Sequence, residues 1–522
     1  MKNLLAALLL GLPLTVSAGT WRPLIHQPPM PDIIDPFAGD LGPGGASFPV
    51  LLTDGTVIVQ NNAGGFADGR VFKLTPDING SYVNGTWSEI APMPYIPTAA
   101  AQAVLPDGRF IIEGGEYLGI YEDFLLTNLG AIYNPFTDTW TSVPPPPFFV
   151  DLYPPRAVFA PHPIGDAQCV ILPNGTFMLA DKMSKQAALL DLGTMTWTEV
   201  GTSTKHDLND EEGWTLLPNG KVLTVDCYTD FIFGLIPHYP KDPTNSEIFD
   251  PATNTWSSAG STINTLTDKF LAETGPAVLR PDGTVLAVGS QGFTSIYNSV
   301  TGKWSAGPKL PISPKGFQMT AQDAPGALLP NGNVLVAASG GKSPKFSYTN
   351  PPAYFVEFDG FNFTLEPTIP NSHIDYSQSI VMVILPTGQI LEADSSKDIE
   401  IYTPSNTSHN AAWEPVISFS PVFVSPGGTY PLGGVRFNGM SQGSMFGDEC
   451  QNATNFPLVR ITNLATGHVF YCRTHNHTSM AVASSTPMLT SFDVPANQEL
   501  GPSKLEVVAN GIASQPVAVT VQ

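Results

Sequence analysis

Between residues 50 and 390 apolar runs are broken at intervals by one recurring unit: an apolar residue, Pro or a polar residue, Asp, Asn or Thr, then Gly, then a β-branched apolar run. The copies are Leu52-Thr53-Asp54-Gly55, Leu105-Pro106-Asp107-Gly108, Leu172-Pro173-Asn174-Gly175, Leu217-Pro218-Asn219-Gly220, Arg280-Pro281-Asp282-Gly283, Leu329-Pro330-Asn331-Gly332 and Leu385-Pro386-Thr387-Gly388. Asx-Gly pairs suit a two-residue hairpin turn with positive φ, and apolar runs on both sides make each copy two antiparallel strands. Downstream of each lies an aromatic in a short strand-like run: Trp87, Trp140, Trp197, Trp256, Trp304, Phe363 and Trp413. Hairpin, turn and aromatic strand at this period predict a four-stranded propeller blade, and seven copies predict a closed seven-bladed ring. A β-sandwich would space its turns more closely. The further strand Gly19-Thr20-Trp21-Arg22-Pro23-Leu24 is expected to pair with the last blade and fasten the ring.

After Trp413 the repeat stops. Short alternating strands such as Leu458-Val459-Arg460-Ile461 and Lys504-Leu505-Glu506-Val507-Val508 predict an immunoglobulin-like sandwich. The chain thus divides into a secretory signal at 1–18, a propeller at 19–414 and a sandwich at 415–522, an all-β protein throughout. Lys2, the apolar run Leu4 to Val16 and the small residues Val16-Ser17-Ala18 carry the signal expectation. No later run is long enough for a transmembrane helix.

Composition narrows the partners. A net charge of -22 excludes the clustered Lys and Arg that nucleic acid requires, so the expected partner is a neutral or cationic small molecule or glycan, met by a monomer. Gly 48 and Pro 51 suit a turn-rich chain. An exported chain with four cysteines is expected to form a disulfide, with Cys450 and Cys472 the favoured pair and Cys169 and Cys227 buried thiols or a second pair. Asn-x-Ser/Thr sequons at Asn79, Asn84, Asn174, Asn362, Asn406, Asn452 and Asn476 predict glycosylation.

Signal, seven kelch-type units and a sandwich carrying Cys472-Arg473-Thr474-His475-Asn476-His477-Thr478 resemble the galactose oxidase and glyoxal oxidase superfamily across nearly the whole mature chain. The resemblance implies a copper-radical site built from a Cys-Tyr cross-link, a Tyr-His pair and a His from the Thr-His loop. Here Phe48 stands about where the cysteine belongs, Ala99 where the cross-linked tyrosine belongs, and Gln378-Ser379 in place of Tyr-His. Tyr376 is two residues out of register, roughly 6–7 Å along a strand. Only His475 or His477 matches, and one imidazole does not hold Cu(II). A galactose oxidase-like protein without the copper-radical centre is the reading that follows.

Counting back eight or nine residues from each turn predicts which side chains crowd the ring axis. Blades one and two offer Gly45, Ala46, Thr98 and Ala99, and the others offer Asp166, Asp210 and Glu211, Glu273 and Thr274, Gln322 and Asp323, and Gln378 and Ser379. The family architecture would bring His475 and His477 to the same axis. Such a set could tune acid–base groups, with Glu211, Glu273, Asp323 and His477 as catalytic candidates, or hold Ca2+ or another hard divalent cation. Axial carboxylates that only accept backbone hydrogen bonds are the structural alternative. Lys205-His206-Asp207 with Asp210, Glu211 and Glu212 reads as a solvated charged loop or a metal site, and His162 and His373 as rim residues. No phosphate loop, Cys-x-x-Cys or Gly-x-Ser-x-Gly is present. The functional expectation is a binding protein for a small molecule or glycan at the axial face. Its alternatives are a copper-independent acid–base enzyme and a cell-surface interaction protein.

Overall fold

Each of the seven recurring units closes a hairpin between the first two strands of a blade, but through a loop one residue longer than the expected two-residue turn. In the first, the Leu52 amide donates to Thr56 O (2.8 Å) and the Gly55 amide to Leu52 O (3.0 Å). Only the glycine takes positive φ, from 77° at Gly55 to 88° at Gly175, and the residue before it does not. The seventh loop, with Thr387, has the same shape; in the other six the Asx side chain supports it: Asp54 Oδ1 accepts the Thr56 amide (3.0 Å), and Asp107, Asn174, Asn219, Asp282 and Asn331 do the same two residues on. That bond holds a three-residue loop with a glycine bulge, in which one left-handed residue suffices.

The computed structural model describes residues 18–35, 39–63, 66–118, 121–124, 126–149, 163–228, 230–232, 236–238, 243–268, 273–342 and 349–522. The expected signal at 1–18, apart from Ala18, and His162 lie outside them. Among the described residues the regular structure is strand with three short 3-10 turns, and no helix is long and apolar enough to cross a membrane. The fold is a seven-bladed propeller. The innermost strands are Gly45–Leu51, Ala101–Val104, Cys169–Ile171, Thr215–Leu216, Thr274–Leu279, Gly326–Leu328 and Val381–Ile384. They are buried almost throughout because neighbouring blades cover both faces, whereas the outermost strands, such as Thr139–Val143, are largely exposed.

Aromatic residues join blade to blade. Trp140 Nε1 donates to Ala91 O (2.8 Å), Trp197 to Pro144 O (2.7 Å) and Trp87 to His26 O (2.9 Å), each carbonyl belonging to the segment that leaves the preceding blade. Within blades the same rings meet a cross-strand aromatic, as in Tyr133–Trp140 and Tyr297–Trp304 with centroids 5.0 and 5.1 Å apart. Such pairs contribute about 0.5–1.5 kcal/mol beyond their buried area.

Closure follows the expectation for Trp21. The strand Thr20–Pro23 pairs antiparallel with Ile399–Thr403 as the outermost strand of the last blade, and Trp21 Nε1 donates to Pro367 O (2.8 Å). Trp413 therefore does not supply that strand. It ends a 3-10 turn, Ala411–Trp413, and lies over the turn glycine Gly332, because the position it was expected to fill is already taken.

Residues from Val416 onward form a curled nine-stranded sheet folded on itself at Val469–His475, which pairs with Leu458–Asn463 along one half and Met488–Asp493 along the other. Its concave side closes over Leu432, Phe437, Val459, Phe492 and Leu505. One stretch leaves this sheet and threads the propeller. Ser444–Met445 pairs with the innermost strand of blade six, the Leu216 amide of blade four donates to Gln442 Oε1 (2.7 Å), the Ile384 amide of blade seven to Ser444 Oγ (3.0 Å), and the Cys450 amide to Ala100 O of blade two (3.2 Å). Residues 441–455 thus fill the ring.

The threading overturns two expectations. Cys450 lies in the threaded segment and Cys472 in the core of the curled sheet, so no bridge joins them; all four cysteines are free and buried. Asn452 is also inside the ring, bonded to Gln102 and to Met382 O, where a glycan has no room. The other six sequon asparagines are exposed.

Candidate axial carboxylate–lysine site

Three of the innermost strands are approached through a residue in left-handed backbone that is not glycine, Ala99 (φ 50°), Glu211 (61°) and Asp323 (42°); blade one has Phe48 (50°) at a break in register within its innermost strand, and the threaded segment adds Cys450 (50°). In blade three a glycine, Gly165 (77°), precedes Asp166. Left-handed backbone is costly for bulky side chains and persists where surrounding structure imposes it. Here it turns the chain beside the axis, eight residues before the Asp or Asn of the turn in blades two, four and six. Phe48 packs there on Val381, Phe446 and Cys450.

Asp166, Asp210, Glu211, Glu273 and Asp323 converge as their register predicted. Three residues that the register did not reveal join the group. Lys182, following the second strand of blade three, bonds to Asp166, reaches Glu211 at 2.8 Å and Asp210 at 3.2 Å, and lies 4.0 Å from Asp448. Asp448, with Glu449, arrives on the threaded segment. The signals were modest: a lysine in a chain that has few, and an acidic pair in a stretch without strand alternation.

Carboxylate oxygens of Asp166, Glu211 and Asp448 lie within 4.8 Å of one another, as do those of Glu211, Glu273 and Asp323, so Glu211 is shared by two sets. Lysine neutralises only part of this charge. Burial works against the Lys182 ammonium, but the surrounding carboxylates outweigh it and hold its pKa well above the ordinary value. Burial also works to raise Glu211; the charge of Lys182 and hydrogen bonds from Glu273, Lys182 and Asp448 overcome it, leaving Glu211 below the ordinary value. Its neighbour Glu273 is raised well above it by burial and by the charges of Asp323 and Glu211. Burial likewise raises Asp323, Asp448 and Asp210, and brings Glu449 to about 8. Several polar atoms of the group have no hydrogen-bond partner: Asp166 Oδ1, Glu273 Oε2 and Asp448 Oδ2. Asp166 and Asp448 are 6% and 2% exposed, so those oxygens are desolvated.

The remaining predicted residues sit elsewhere. Gln322 is buried beside the axis, where its carbonyl accepts from Ser377 Oγ (2.8 Å). Gln378 is exposed on the 3-10 turn Ser377–Ser379, and Ser377 takes the inward place, because the turn rotates the chain between the two. His475 and His477 do not reach the axis. Their strand runs across the turns of blades one to three, with Thr474 N donating to Thr53 O (3.2 Å), His477 N to Pro106 O (2.9 Å) and Met480 N to Pro173 O (2.9 Å). Those turns lie at the opposite end of the innermost strands from the acids. His477 is buried, its pKa lowered to about 3 by burial and by His475, and its Nδ1 meets Thr490 Oγ1 (2.8 Å).

Lys205 is no solvated loop residue. Its side chain is wholly buried and meets Asp207 (2.5 Å), Glu212 (2.8 Å) and Glu247 (2.8 Å), while His206 Nδ1 meets Asp226 at 2.8 Å. The ammonium itself serves as the cation of that cluster. His373 is exposed at the rim.

No family model matches the chain, and no curated protein matches it. Among solved structures, a fungal alcohol oxidase of the AA5 family in complex with copper aligns with 97% of this chain and 100% of its own at 14% identity, with a TM-score of 0.50. A virginiamycin B lyase from Staphylococcus aureus with quinupristin aligns with 74% of this chain and 99% of its own at 10% identity and a TM-score of 0.44. At such identities the likeness to the oxidase is one of fold.

Proposed function

We propose that this chain is a secreted galactose oxidase-like propeller without a copper-radical centre, which binds a neutral or cationic small molecule through the axial carboxylates. The observation that carries the reading is the set of desolvated oxygens without a hydrogen bond on Asp166 and Glu273, joined by Asp448 Oδ2, which has only the Lys182 ammonium 4.0 Å away. Buried acceptors left open are costly, and a ligand presenting hydroxyl or amine donors would satisfy them. Copper does not fit the donors. Phe48 and Ala99 offer it no ligand atom, and the axial three-carboxylate groups contain neither histidine nor cysteine. An all-oxygen set suits Ca2+ better than Cu(II), which favours nitrogen and sulfur.

A second reading is favoured by one contact. Glu211 and its hydrogen-bonded neighbour Glu273 are driven in opposite directions, one toward the carboxylate and one toward the acid. Groups so divided form a general base and general acid pair. This would be a copper-independent enzyme on a small polar substrate, with Lys182 holding Glu211 ionised.

The test is metal analysis of purified protein followed by a thermal-shift screen of polyols, amines and divalent cations on wild type and Asp448→Asn. The binding reading expects a ligand-dependent rise in melting temperature that Asp448→Asn removes. Near-stoichiometric copper, retained through dialysis against a weak chelator, would overturn it. Turnover of a screened compound that is lost in Glu273→Gln would favour the enzyme.

A further inference from the structure

The face of the ring opposite the axial acids holds a second candidate site. Where the curled sheet crosses the turns of blades one and two it leaves a cavity of about 770 Å3. That lies within the range of 300–1,000 Å3 usual for ligand pockets. One wall is built from alternate residues of Val469–His475, which point to the same side of the strand. Arg473 and His475 both bond to Asp493 of the adjoining strand: Arg473 Nε and Nη2 reach Oδ2 at 3.0 and 2.8 Å, and His475 Nε2 lies 3.1 Å from Oδ1, which also accepts from Thr429 Oγ1 at 2.6 Å. The network fixes these side chains before any ligand arrives.

The other wall comes from the propeller. Phe136, in the turn after Asn134-Pro135, is 73% exposed, with the Arg473 guanidinium 5.3 Å from its ring centroid. Lys73 and Asp77 of blade one stand beside it on the lining. A phenyl ring so exposed is left unburied by folding. The cavity sets two cations, Lys73 and Arg473, and the His475 imidazole against three carboxylates, Asp54, Asp77 and Asp493, so its charge is mixed and it selects no strongly charged ligand even in a chain of net charge -22.

An aromatic face set among fixed donors and acceptors of both signs matches a molecule with apolar C–H faces and many hydroxyls. We propose that this crevice binds a neutral oligosaccharide, stacked on Phe136 and hydrogen-bonded by the Arg473–Asp493–His475 network. The site is independent of the axial cluster.

Isothermal titration of the full chain with cellotetraose, chitotetraose and mannotetraose tests the assignment. At least one should bind, and Phe136→Ala should weaken it by roughly tenfold, the scale of one lost aromatic contact, with melting temperature unchanged. Glu211→Gln, at the axis, should leave the affinity as in wild type. Absence of binding by all three sugars would overturn the proposal, as would full affinity in Phe136→Ala. Binding lost in Glu211→Gln but kept in Phe136→Ala would put the sugar at the axis and overturn it equally.

Discussion

Lys182 Nζ lies 4.0 Å from Asp448 Oδ2, so an ammonium from blade three faces a carboxylate carried into the ring by the C-terminal sheet. That ammonium is also the partner of Asp166, Asp210 and Glu211. Lys182→Met should therefore destabilise the protein by roughly 3 kcal/mol, because removing one member of a buried ion group strands the others. The loss should be larger at pH 8 than at pH 5, where the stranded carboxyls take up protons. Chemical denaturation at the two pH values checks both.

A second acidic group makes the whole fold sensitive to alkali. Glu392 and Glu400 face each other across strands of blade seven, with Asp375, Asp394 and Asp398 close by. Burial, then the charges of Asp398 and Asp394, raises Glu400 to about 7; burial, then Asp394, raises Asp375 to about 8. Acids with raised folded pKa values stabilise the fold below their unfolded pKa, and that contribution is lost as pH rises through the folded value. Melting temperature should accordingly fall between pH 5 and pH 8. Glu392→Gln with Glu400→Gln should flatten the decline, as read by calorimetry across that range.

Ring closure through Trp21 is open to direct test. Its indole packs at a tilt against Phe355 and Tyr402, with centroids 4.6 and 5.0 Å away, and donates to Pro367 O. Trp21→Ala should cost roughly 2–3 kcal/mol, below the full value for a buried tryptophan because this one is partly exposed. Limited proteolysis should then cut first near residue 20.

Glycan mapping distinguishes the sequons. Expressed in a host that glycosylates, the chain should carry no sugar at Asn452, whose side-chain nitrogen donates to Met382 O inside the ring. Peptide mass spectrometry reads occupancy directly.

What the sequence disclosed and what it concealed divide along one line. The turns, the blades and the axial acids could be read because a fixed number of residues separates Asp166 or Asp323 from its own turn, and that distance is set by local strand geometry. Lys182 reaches the axis from the far side of a hairpin, and Asp448 by threading, which depends on how the curled sheet docks. No local periodicity encodes docking. The same cause undid the expected Cys450–Cys472 pair, which rested on nearness in the C-terminal sequence, and the placing of His475 and His477, which rested on family outline, whereas the segment that enters the ring here is Ser441 to Asn455. The turn length was hidden for a different reason: a single left-handed glycine serves a three-residue loop with a bulge, and Thr387-Gly388 closes the same loop as the Asx-Gly pairs.

The threaded segment also governs the order in which the molecule can form. Thr20–Pro23 pairs with Ile399–Thr403, and Gln442 bonds to Leu216, so the contacts that close the ring and fill it join parts of the chain hundreds of residues apart. Loop-closure entropy makes such contacts slow to gain. Blades two to five can assemble as synthesis proceeds, but their inner edges have nothing to pack on until residues 441–455 emerge. Completion of the axial site is therefore a late event in folding, and the group of buried acids is brought together only when its lysine is already in place.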